Sequence, residues 1–154
     1  MSEGARFLTG VVSAIDPARG LARVRFAELD ELESAFIPVG QRKTHRDRDY
    51  WMPDVGEHVA CLMDQYAEDG VILCAIYSQA DKPPVNSADK RHVRFQDGTT
   101  VEYDRASGEM AVHCVGKILL QVNGDFAIKA GGRVDIEAGG PIQLRGATIH
   151  LNDG

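Results

Sequence analysis

The side chains able to do chemistry in this sequence are few, and none falls into an enzyme's pattern. Two carboxylate pairs, Asp64 with Glu68 and Glu102 with Asp104, have the residue types for general acid and base work. That chemistry needs a cleft and a substrate platform, and the surrounding sequence predicts neither, so both pairs read as solvated surface. No GxSxG, HExxH or phosphate-cradling glycine loop occurs. The three cysteines, Cys61, Cys74 and Cys114, lie in apolar, strand-like stretches without CxxC spacing, which reads as buried thiols rather than a zinc site. The basic run Arg42-Lys43-Thr44-His45-Arg46 is followed by Asp47-Arg48-Asp49 and reads as a solvated loop or a partner contact. A formal charge of -6 argues against phosphate neutralisation, so no nucleic-acid partner is expected. An enzyme is not expected either.

The elements behind these residues are short strands. In 154 residues, 44% hydrophobic and 26% charged, one small folded body or a body plus an appendage is expected. No run of 18 apolar residues would make a membrane helix, and MSEGARFLTG lacks the charged-then-apolar pattern of a secretory signal, so synthesis in the cytoplasm is expected. Residues 7–14 read as a strand, Asp16-Pro17-Ala18-Arg19-Gly20 as a turn, and residues 21–26 as a second strand alternating with period two. The acidic stretch 28–33 reads as a loop or short helical turn before residues 35–38. Further strands are expected over 58–63 and 71–77. Five short strands with long loops fit a Greek-key barrel over 1–78. Residues 79–90 carry two prolines and read as a linker, and 92–95 and 99–103 as a hairpin about Gln96-Asp97-Gly98.

From residue 109 the pattern changes. Ten of the 16 glycines fall in the last 57 residues, and Gly116, Gly124, Gly132 and Gly140 recur every eight. They close the octads EMAVHCVG, KILLQVNG, DFAIKAGG and RVDIEAGG. Positions two, four and six are apolar in every octad: Met110, Val112 and Cys114; Ile118, Leu120 and Val122; Phe126, Ile128 and Ala130; Val134, Ile136 and Ala138, with Ile142 and Leu144 continuing the series. Alternate residues of a strand share a face, so each octad offers one apolar side and one polar side, with glycine at a corner. Such a strand cannot bury its own apolar face. Three copies wound about a common axis can, each supplying a wall of a triangular prism over 109–154 and leaving no strand edge open. Packing of the repeats as hairpins on the barrel is the alternative. At one interstrand spacing per octad the prism is about 25–30 Å long.

A resemblance to a known family rests on several short motifs in order. They are Gly10-Val11-Val12 with Gly20-Leu21-Ala22-Arg23-Val24, Trp51-Met52-Pro53-Asp54-Val55-Gly56-Glu57, Asp69-Gly70-Val71-Ile72-Leu73, and His92-Val93-Arg94-Phe95-Gln96-Asp97-Gly98 with Val101-Glu102-Tyr103. With these the chain resembles the phage baseplate assembly V proteins, the central spikes of contractile tails, which are related to the VgrG spikes of type VI secretion. The resemblance implies an all-β chain: a five-stranded OB-fold barrel (1–78), a linker and hairpin (79–108), and an intertwined trimeric β-helix. It implies a virion or tailocin component that contacts a baseplate hub protein and pierces the target outer membrane. Many such spikes end in His-x-His, whose imidazoles hold an iron ion on the axis. Here the end reads Ala147-Thr148-Ile149-His150-Leu151, with one histidine, so a structural or solvent-facing His150 and a separate PAAR-like tip protein on 147–154 are expected, with a metal held by three copies of His150 as the rival. Some relatives insert a lysozyme domain, for which residues 79–108 leave no room. An OB-fold binding module is the competing function.

Overall fold

The computed structural model describes residues 4–151. Asn152, Asp153 and Gly154, the last residues of the expected tip, lie outside them. The chain divides into two compact units, Met1–His113 and Cys114–Gly154, and every strand among the described residues belongs to the first.

The first sheet is antiparallel and follows the expected alternation. Strands β1 (Arg6–Asp16) and β2 (Leu21–Phe26) form a hairpin whose turn places Gly20 at φ +67°, where a Cβ would be strained. Along β2 the apolar Ala22, Val24 and Phe26 are buried, while Arg23 and Arg25 face outward. These arginines meet Glu33 at 3.9 Å and Glu31 at 2.9 Å, and the Arg23 guanidinium lies 5.0 Å from the Phe36 ring centre. The acidic stretch becomes a single 3-10 turn (Ala27–Leu29) and the two-residue strand β3 (Leu32–Glu33), with β4 (Ile37–Pro38) following. β5 (His58–Met63) pairs with β1, and β6 (Gly70–Ala75) pairs with β5.

The sheet order is β3-β2-β1-β5-β6, with β4 also on β2. Val39 bridges Ile72 in a parallel sense, its own N–H donates to Gly20 O at 3.0 Å, and the Gly40 N–H donates to Ile72 O at 2.8 Å. Followed from β2 through β1, β5, β6, Val39 and β4, the pairings therefore return to β2. Two bulges, at Ser13 in β1 and Leu73 in β6, give the local bend that such curvature needs. The core is Leu8, Val12, Ala22, Val24, Phe26, Ile37, Val59, Cys61, Met63, Ala67 and Ile72. Gly10 lies against it, because a Cβ there would come within 2.6 Å of Val24 Cγ1 and Arg25 O.

A second antiparallel sheet, β7 (Lys90–Arg94), β8 (Thr100–Asp104) and β9 (Glu109–His113), replaces the expected two-stranded hairpin. The third strand is the first five residues of the first octad, so Met110 and Val112 sit in a sheet of their own chain. In this register the two faces differ. Lys90-Asp104-Glu109 and His92-Glu102-Ala111 line one, and Arg91-Tyr103-Met110 and Val93-Val101-Val112 line the other.

The expectation of three buried thiols holds only for Cys61. Cys74 is exposed and Cys114 half-buried, because the Leu73 bulge shifts the alternation of β6 beyond Ile72 and Cys114 ends the strand region. Burial, with Cys74 nearby, pushes the Cys61 thiol up to about 11, which keeps it protonated and inert at neutral pH.

Candidate functional site

The second unit carries the feature that the sequence singles out. From residue 114 to 151 it contains no strand, and its backbone bends at 115–116, 123–124, 131–132, 139–140 and 147, five bends at a spacing of eight. Gly116, Gly124, Gly132 and Gly140 all lie in these bends. None takes the left-handed φ that would demand glycine, and a Cβ on any of them would meet nothing within 4 Å. The single chain therefore places no steric requirement on these glycines.

The stretches between bends are open. Ile118, Leu120, Val122, Phe126, Ile128, Val134, Ile136, Ile142 and Leu144 are each more than half exposed, from 52% for Val122 to 75% for Leu120. Ala130 and Ala138 are exposed as well. Monomeric proteins seldom leave a continuous apolar row of this length in water. The same holds on the apolar face of the second sheet, where Tyr103 is 42%, Val112 57% and Met110 73% exposed. His150 is exposed, and among the described residues no group of three or more metal-ligating side chains occurs.

Of the four carboxylates considered for catalysis, Asp64, Glu102 and Asp104 are held by structural partners, and Glu68 is exposed. Asp64 accepts the Glu68 N–H at 3.0 Å, capping the turn before β6. Glu102 accepts Lys90 Nζ at 2.7 Å and faces His92 Nδ1 at 2.7 Å, with Lys90 3.8 Å from Asp104. These hydrogen bonds, Lys90 first and His92 second, hold the Glu102 carboxyl below its usual range, and the Glu102 bond in turn raises Lys90. The network ties β7 to β8. Sequence reading missed it because only cross-strand register brings Lys90 and His92 onto Glu102.

A groove of about 260 Å³ runs along the seam where Val39 meets β6, lined by Trp51, Met52, Pro53, Val59 and Ile72 among others. Most of its lining side chains are apolar, with Glu57 and Cys74 as the exceptions. Trp51, the most prominent aromatic for a binding surface, is stacked on Phe95 with ring centres 5.9 Å apart and planes within 3°. It thus joins the loop between β4 and β5 to the loop after β7.

No family model matches the chain. A search of known proteins finds the spike protein of Escherichia phage P2, 30% identical over 105 residues, 68% of this chain and 48% of the relative. The chain is a homologue of the gpV-type phage tail spikes. It spans about half the length of the curated relative it matches. The relationship is to a structural spike protein and not to an enzyme family.

Proposed function

We propose that this chain is the central spike of a contractile phage tail or tailocin, acting as a trimer that is driven through the target outer membrane when the sheath contracts. The observation that carries the reading is the row of exposed apolar side chains between bends spaced by eight in a homologue of a phage spike. Three copies wound together bury that row on the threefold axis, with Met110, Val112, Cys114, Ile118 and the residues that follow at alternate positions as needle core. Close approach of neighbouring copies at the corners supplies the steric reason for glycine that one chain lacks. In support of an OB-type barrel in the first unit stands the ring of pairings closed through Val39 and Ile72.

The mechanism is mechanical. Force along the axis meets a narrow body whose strand edges are paired and whose core is apolar, so bending it requires breaking many hydrogen bonds together. Residues 1–113 dock on the baseplate hub and 114–154 lead. Ile149 and Leu151, 50% and 82% exposed, favour a separate PAAR-like cap over a metal held by His150 at the leading end. The test is a solution mass by light scattering. A value near three times 16.8 kDa, retained in mild detergent, is expected. A monomer at micromolar concentration overturns the reading.

A further inference from the structure

The first unit carries opposite charges at the two ends of one strand. β2 has six residues, so its ends are about 17 Å apart. Its far end runs into the acidic turn Glu28, Asp30, Glu31 and Glu33, and two of these residues, Asp30 (φ 53°) and Glu31 (φ 61°), are held in the left-handed region that non-glycine residues avoid. Its near end anchors the basic loop, since Val39 N–H donates to Gly20 O at 3.0 Å and the Tyr50 hydroxyl to Pro17 O at 3.2 Å. That loop is a preformed hairpin. Thr44 bridges Arg48, the Asp49 N–H donates to Lys43 O at 2.8 Å, and Arg42–Asp49 (2.7 Å) and Lys43–Asp47 (3.1 Å) pair across it.

Internal pairing leaves charge of both signs over. Arg46 and Arg48 at one end, and Glu28 and Asp30 at the other, make no ion pair among the described residues. Separated by the length of β2, they cannot neutralise each other within one chain. We propose that copies of this chain meet head to tail through these ends, the Arg42–Arg48 loop of one against the Glu28–Glu33 turn of the next. A heterologous contact of this kind closes on itself after three steps of threefold rotation, so each copy gives one basic end and receives one acidic end. The inference rests on the trimer reading and specifies which surfaces of the first unit face each other within it.

The test uses the full chain with Cys74→Ser and Cys114→Ala, alanine being the residue that the series carries at the same octad position in Ala130 and Ala138, into which Asp30→Cys and Arg46→Cys are introduced together and treated with a flexible bis-maleimide. A covalent trimer on a denaturing gel is expected, with none from either cysteine alone. In parallel, Arg46→Glu raises the half-assembly concentration by about tenfold or more, and adding Asp30→Lys in the same chain restores it. A particle of trimeric mass that neither cross-links nor responds to the reversal overturns this inference and leaves the trimer intact, the loop then serving an acidic surface outside the trimer. A monomeric mass for the parent overturns the trimer reading itself.

Discussion

Replacing Ile128 with Asp tests the needle core at its centre. Ile128 is 69% exposed in one chain and belongs to the second unit, so the folding of residues 1–113 is expected to be unchanged by the substitution. Its cost appears on assembly. Burying an isoleucine side chain stabilises by about 1.5–3 kcal/mol, and three copies on one axis contribute about 5–9 kcal/mol. Loss of that alone weakens assembly by more than about a thousandfold, before the three carboxylates that replace the isoleucines repel one another in an apolar channel. Lys129→Glu, one residue along and on the opposite face of the extended stretch, is the control and leaves assembly unchanged. Analytical ultracentrifugation reads the mass and far-UV circular dichroism the fold. A monomer with the parent's first-unit spectrum is expected for Ile128→Asp. A stable trimer refutes the inward assignment of the whole even-numbered row, because Phe126, Ile128 and Ala130 share their face.

The remaining predictions concern the first unit. Gly70→Ala forces a Cβ onto Leu62 O and to 2.8 Å from Met63 Cα, backbone atoms that cannot rotate away, so a loss of about 1–3 kcal/mol is expected in urea denaturation; an unchanged midpoint disproves the close approach. Glu102 titrates below its ordinary value in the folded chain, so its bonds to Lys90 and His92 stabilise above the unfolded carboxylate value of about 4.3 and are lost as pH falls through the lower folded value. Thermal melts between pH 5 and pH 2 should therefore show a steeper acid decline for the parent than for Glu102→Gln, and parallel declines would exclude the network as the source.

Period two was the readable part of this chain. Leu21–Phe26 alternates so regularly that its strand, its buried Ala22, Val24 and Phe26, and its outward arginines all follow from the residue order. The same pattern in Glu109–His113 was legible as a strand but its partner was not. An exposed strand of a repeat looks alike whether it pairs with β8 of its own chain or with another copy, and only the Asp104–Glu109 turn, with Gly108 at φ +73°, decides for the hairpin. Cys74 went astray for a similar reason. A bulge adds one residue without leaving a composition mark, so the side chains beyond Leu73 change face while the sequence continues to alternate. The Lys90–His92–Glu102 network needed register as well, since residues ten and twelve apart carry no local signal of contact.

The glycines of the second unit show where a single chain stops explaining its own sequence. At Gly20 the local backbone demands glycine, and at Gly10 the neighbouring strand does, so both are accounted for within one copy. At Gly116, Gly124, Gly132 and Gly140 neither reason applies, although the bends fall where those residues are. The apolar residues between them are likewise without a partner. One arrangement answers both deficits. If three chains wind so closely that the corner of each lies against the wall of the next, a Cβ at the corner is excluded by a neighbour and the even-numbered side chains meet on the axis. The glycine spacing and the apolar alternation then follow from one packing constraint. Substituting alanine at these corners should accordingly disturb the assembled particle while leaving the separate chain unaffected, the reverse of Gly70→Ala.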